Sequence, residues 1–198
     1  MAAASRESDA DLAARCAAGD RGAQRELFLR SRAAVHRTLY RVLGSNQDIE
    51  DLIQDAYLAM FRSIGSYAGR SALITWCCSV ASHVALSHLR RRRPVALGER
   101  DVESGAPSAD RVVRARVAVA RLYRALDRID PVQRIAFALA VIDGRPLAEV
   151  AELTGASLTA VKTQVWRARK ALDKRAAADP LLHEYVTELT AGAAQEAR

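Results

Sequence analysis

Apolar residues recur at three- and four-residue spacing in one segment of this chain after another, and no period-2 run bounded by turn residues interrupts them. Successive helical side chains are about 100° apart, so such spacing gathers the apolar residues into one stripe. Ile49, Leu52, Ile53, Ala56, Tyr57, Met60, Phe61 and Ile64 form the clearest stripe, and Leu158, Val161, Val165, Ala168 and Leu172 form another. Gly and Pro number only 10 and 5 among 198 residues, which also favours helices. The expected fold is all-α.

The composition breaks once. Residues 94–110 are polar, hold two Pro and two Gly, and carry no helical stripe. They read as a flexible linker between two small helical domains, 9–93 and 111–178, with 179–198 as a C-terminal extension that is either a short extra helix or a disordered tail. Stop and cap residues divide the first domain into four helices, about 9–18, 21–43, from near Asn46 to near Gly65, and from near Ser71 to before Pro94. In the fourth, Leu73, Cys77, Val80, Val84 and His88 fall on one side and are expected to pack inward, while Trp76, Ser79, His83, Leu86, Ser87 and Arg90 share a flank.

Lys and Arg exceed Asp and Glu by seven, which suits a polyanionic partner: nucleic acid or an anionic membrane surface. No run of roughly 18 apolar residues could span a bilayer, and the N-terminus lacks the basic-then-apolar order of a signal peptide, so a cytoplasmic protein without membrane insertion is expected. Cys16, Cys77 and Cys78 make a poor disulfide framework and read as buried thiols. The histidines, 36, 83, 88 and 183, show no zinc-type spacing with them, so neither a metal nor another cofactor is expected. Nor is a catalytic pair apparent, which argues against an enzyme.

Three surfaces hold candidate binding residues. On the third helix Asp48, Asp51, Asp55, Leu58 and Arg62 oppose the apolar stripe. Acids there suit a solvated face, but Leu58 among carboxylates is what a polar-rimmed partner surface would show. On the fourth, the flank runs into Arg90–Arg93, four like charges that suit a phosphate backbone. An aromatic beside hydrogen-bonding groups and a basic end could receive unstacked bases.

The third surface lies in the second domain. A basic amphipathic helix over 111–129 is followed by Asp130-Pro131, an N-cap with Pro at the first helical position, and a helix to Ile142. Pro146 opens a short helix, Thr154-Gly155-Ala156 turns, and Ser157 caps a last helix: a helix-turn-helix over 146–172. Thr159, Lys162, Thr163, Trp166, Arg167 and Lys170 oppose the last helix's apolar stripe. Residues 157–172 hold four Lys/Arg, including Arg169 at the stripe's edge, and no Asp or Glu. Arg or Lys can bond guanine edges, and an apolar ring can lie on a thymine methyl.

In their order and spacing, Asp51-Leu-Ile-Gln-Asp55, Trp76 with Val80-Ala81, the arginine run, and Val161-Lys162-Thr163 through Trp166-Arg167-Ala168-Arg169-Lys170-Ala171-Leu172 resemble the sigma-70 family, in the extracytoplasmic-function type that keeps only regions 2 and 4. The resemblance implies an alternative sigma factor that binds core RNA polymerase and directs promoter-specific initiation. Asp48, Asp51, Gln54, Asp55 and Leu58 would grip the clamp coiled coil of the polymerase's largest subunit. Tyr67, in the loop 65–70, with Trp76, Ser79, His83, Ser87, Arg90 and Arg91, would melt and read the −10 element of promoter DNA. Thr159, Lys162, Thr163, Trp166, Arg167 and Lys170 would read the −35 element. An anti-sigma factor is a further implied partner.

The chain departs from the family at Ser79 and His83, where members often carry Arg and Asn, at Ser87, often acidic, and at Leu73, often Phe. The competing reading is a helix-turn-helix regulator that does not bind core polymerase as a sigma subunit.

Overall fold

Side-chain caps and left-handed glycines set the helix boundaries. The computed structural model describes residues 8–45, 47–91 and 110–196. Ser8 accepts from the Asp11 amide and opens α1, Asp9–Ala17, and Asp20 accepts from the Gly22 and Ala23 amides and opens α2, Arg21–Leu43. Gly44, at φ 73°, closes α2. Then follow α3, Ile49–Ser63, a 3-10 turn over Ile64–Ser66, and α4, Leu73–Arg91. After the linker come α5, Asp110–Leu126, and α6, Pro131–Phe137, which widens into a π turn over Ala138–Ile142. Next are α7, Leu147–Thr154, α8, Leu158–Ala176, and α9, Pro180–Glu196. Among the described residues there is no strand.

The predicted helix boundaries differ from these by a few residues at most. Asn46, Arg92, Arg93 and linker residues 94–109 lie outside the described residues. The C-terminal extension, left open between helix and disorder, is helix α9 over most of its length. It docks through buried Leu182 and Val186 against α5, α8 and the π turn.

The α3 stripe packs as read, with Phe61 half-buried and the other seven residues buried. In α4 the inward face differs. Leu73, Cys77, Cys78, Ala81, Ser82, Ala85 and Leu89 are buried, whereas Val80, Val84 and His88 are only half-buried. The buried stripe is thus turned by roughly one residue, about 100°. Ala81, Ser82 and Ala85 are too small to mark a stripe by hydropathy, but their size lets α2 approach α4 closely, and those two helices share the most extensive contact in the molecule.

The two helical domains pack against each other. Their buried residues form one continuous cluster, running from Leu12 in α1 to Val186 in α9. α4 packs against α6 and α7, and α2 against the π turn. At this seam the Arg134 side chain, 2% exposed, donates to the Val42 and Leu43 carbonyls at 2.9 Å each and pairs with Asp127. Those carbonyls are among the last of α2, which lack partners within the helix, so Arg134 caps α2 from the other half. Tyr123 donates from its hydroxyl to the Arg41 carbonyl at 2.8 Å, and its ring lies flat over Gly44, where a Cβ would come within 2.1 Å of it.

Candidate nucleic-acid interface

Local chemistry builds the reading helix. Gly155, at φ 66°, ends α7 in a left-handed turn that an L side chain would strain, and Ser157 accepts from the Ala160 amide to start α8 two residues later. α8 packs against α6, α7 and α9, and Val161, Val165, Ala168 and Leu172 are its buried residues. Thr159, Lys162, Trp166, Arg167 and Lys170 consequently project to solvent, with Thr163 half-buried among them. Trp166 is 59% exposed, an unusual position for an indole unless a partner covers it. The Thr163 hydroxyl donates to the Thr159 carbonyl at 2.9 Å, leaving its oxygen lone pairs and methyl for a ligand. Leu158 corrects the sequence reading: it is 43% exposed, not part of the buried stripe. It occupies the first helical position of α8.

The structure gathers the α3 residues as well. Asp51, Gln54, Asp55 and Leu58 are exposed together, Leu58 at 45%. Asp51, Gln54 and Leu58 line a groove of about 400 Å³ together with Phe28, Tyr57 and Phe61. Its floor is rigid: the Phe28 and Tyr57 rings lie 4.8 Å apart, and the Tyr57 hydroxyl meets the Ser31 hydroxyl at 2.7 Å. Burial pushes Tyr57 up to about 12, so it stays a neutral donor. Asp48 stands apart from this face. It sits at the start of α3 with its carboxylate 3.6 Å from His88 Nε2.

On α4 the flank is assembled but partly covered. Trp76 is half-buried with its ring edge-on to Tyr67 at 6.0 Å, and Tyr67 donates to the Ser71 carbonyl at 2.7 Å, which fixes the loop before α4. Ser87, Arg90 and Arg91 are exposed. Ser79 is already engaged: its hydroxyl donates to the Leu153 carbonyl of α7 at 3.1 Å. His83 donates from Nδ1 to the Ser79 carbonyl at 2.8 Å and presents Nε2 toward Gly155. The seam residues Arg134, Tyr123 and Arg145 were missed by sequence reasoning. The available signal was Arg134 directly before the apolar run Ile135–Ile142.

No group of His, Cys, Asp or Glu among the described residues could hold a metal ion, and the three cysteines are buried, with burial pushing Cys77 up to about 12. No helix among them is long and apolar enough to cross a membrane.

Comparison with known proteins adds two matches in the same order as these surfaces. The family model for Sigma-70 region 2 matches residues 27–95, and that for Sigma-70, region 4 matches residues 120–172. The ECF RNA polymerase sigma factor SigM of Mycobacterium tuberculosis is 34% identical over 167 residues, covering 83% of each chain. The chain belongs to the sigma-70 family, in its ECF group. The sigma-H factor of Pseudomonas aeruginosa is similar at 27% identity over 90% of this chain and 97% of its own. The ECF sigma-E factor of Escherichia coli is similar at 26% over 85% and 94%. The fold resembles that of CnrH, solved in complex with the cytosolic domain of CnrY, at a TM-score of 0.59 and 24% identity over 87% of this chain and 99% of that one. It also resembles RpoE, solved with the anti-sigma factor NepR from Bartonella quintana, at 0.54 and 18% over 78% and 97%. Region 2 thus falls on α2–α4 and region 4 on α5–α8, while α9 lies beyond the match.

Proposed function

We propose that this ECF sigma factor binds core RNA polymerase through the exposed face of α3 and reads promoter DNA through α8 and the flank of α4. The carrying observation is the solvent face of α8, where Lys162, Trp166, Arg167 and Lys170 stand exposed with no carboxylate among them. Cations on a helix that follows a tight turn suit the major groove, where Arg or Lys bonds guanine and an indole covers a thymine methyl. Thr159 and Thr163 complete a −35-reading set. The acids and Leu58 of α3 fit the clamp coiled coil of the polymerase's largest subunit, and Tyr67, Trp76, Ser79, His83, Ser87, Arg90 and Arg91 fit the −10 element. Residues 9–93 and 111–178 are the units that carry these roles. The protein works in the cytoplasm, takes an anti-sigma factor as a further partner, and catalyses no reaction of its own.

The test is transcription with purified core polymerase, with the bound DNA sequenced to give the promoter. Arg167→Ala is expected to weaken promoter binding by about 1–3 kcal/mol and to relax selection at one −35 base. Equal weakening on all sequences would make Arg167 a phosphate contact. Asp51→Arg is expected to abolish core binding; unchanged binding would refute the α3 interface. Substituting Ser79 and His83 together in the polymerase-bound protein is expected to change −10 preference alone.

A further inference from the structure

Helix α1 ends before residue 27, where the region 2 match begins, and none of the three candidate surfaces includes it. One of its side chains nevertheless reaches the proposed −10 flank. The Asp9 carboxylate accepts from the amide of Leu73, the first residue of α4, at 2.8 Å. The first amides of a helix have no acceptor within it, and a carboxylate suits the positive end of the helix dipole. Leu12, Ala13 and Cys16 hold α1 in place for this, buried where the helix packs on α2, the 3-10 turn and α4.

The Asp9 bond is the first of a short series. The Tyr67 hydroxyl donates to the Ser71 carbonyl at 2.7 Å, the Trp76 amide donates to the Ala72 carbonyl at 3.1 Å, and the Trp76 ring stands edge-on to Tyr67 at 6.0 Å. Packing does little to place this loop. Ala68, Gly69, Arg70 and Ala72 are exposed, and a groove of about 380 Å³ opens between α1 and the loop, lined by Ala13, Ala17, Tyr67 and Gly69 among others. Hydrogen bonds therefore set the loop's position, and the Asp9 bond ties the start of α4 to a separate, buried helix. The carboxylate also acts on Tyr67: burial first, and then the Asp9 charge, raises the Tyr67 hydroxyl above its ordinary range and keeps it a neutral donor to Ser71.

From this geometry we infer that α1 is a working part of the −10 reader, with Asp9 as a positioning residue that fixes the start of α4 and with it the Tyr67–Trp76 pair. The inference rests on the reading of that end of α4 as a DNA-contacting face.

The test uses the full chain bound to core polymerase, on a promoter selected by the unaltered protein and carrying 2-aminopurine in its −10 element. The fluorescence rise reports base unstacking, and titration of the same DNA reports binding. Asp9→Ala is expected to slow unstacking about tenfold at saturating protein while −35-dependent binding stays unchanged. Asp9→Asn is expected to restore most of the rate, because its amide oxygen still accepts from Leu73. The pair also isolates the bond: both variants lose the negative charge in the first turn of α1, but only Asp9→Ala loses the acceptor.

A second readout needs no DNA. With Trp166→Phe, Trp76 is the sole indole, since the chain holds two Trp. Asp9→Ala is expected to make its fluorescence more readily quenched by acrylamide, and Asp9→Asn to leave it unchanged. Should Asp9→Ala lose helical circular dichroism, Asp9→Glu serves instead; it keeps the charge but displaces the carboxylate by one methylene, and is expected to slow unstacking too.

Unstacking at the unaltered rate in Asp9→Ala, or equal losses of unstacking and of −35-dependent binding, would overturn the proposal. The −10 assignment fails separately: Trp76→Ala would leave unstacking unchanged while the Trp76 quenching still responded to Asp9→Ala.

Discussion

Two glycines with the same backbone conformation separate local strain from contact across the seam. Gly19 has φ 83° and open space where a Cβ would stand. Gly44 has φ 73°, and its Cβ would meet the Tyr123 ring at 2.1 Å. Gly19→Ala should therefore cost only the left-handed strain, about 1 kcal/mol. Gly44→Ala should cost about 2–4 kcal/mol, because the ring must also be displaced from a packed site. Urea unfolding midpoints of the two variants check this, and equal losses would show that Tyr123 yields freely. Trp166 behaves in the opposite way. At 59% exposure it adds little to the fold, so Trp166→Ala should change stability by under about 0.5 kcal/mol while weakening promoter binding. A thermal melt and a DNA titration of the same sample separate the two effects.

At the scale of elements, α9 depends on its first turn. Asp179 accepts from the Leu182 amide at 3.2 Å and from Arg121 at 2.6 Å. Burial alone would raise its carboxyl, but the backbone bond from Leu182 and the Arg121 guanidinium outweigh it and hold it below its ordinary 3.8. A carboxyl depressed in the folded state stabilises above its unfolded value and loses that contribution as pH falls through the folded one. α9 should therefore loosen below pH 3.8 and stay docked above it. Hydrogen exchange at the Leu182 amide against pH checks this; Asp179→Asn should loosen the helix at neutral pH and remove the acid step. The same scale shows what was legible in the sequence. The stripes of α3 and α8 were readable because each helix buries one side and presents large apolar residues there, with Leu158 the exception at a helix start. α4 was misread by about one residue's rotation because it is wedged between α2 and α7, and its inner face consists of Ala, Ser and Cys. The sets proposed to face DNA and polymerase were legible as surfaces because acid or base composition lies along single helices.

For the molecule as a whole, the sequence suggested two domains on a linker, and that is where local reading ended. Arg134 finds its acceptors 91 and 92 residues away, on backbone carbonyls that no side-chain pattern marks. The consequence is cooperative. With one buried cluster crossing the seam, the two halves should melt together, and the calorimetric and van't Hoff enthalpies of the free chain should agree. Arg134→Met leaves the Val42 and Leu43 carbonyls without donors, each costing about 1–3 kcal/mol at the seam, while the partly exposed Asp127 is left to water. If that loss exceeds what the apolar contacts of α4 with α6 and α7 supply, the halves should melt separately, each retaining its own helices, and the calorimetric enthalpy should exceed the van't Hoff value. A single transition merely shifted to lower temperature would mean that apolar packing, rather than the Arg134 bonds, couples the halves.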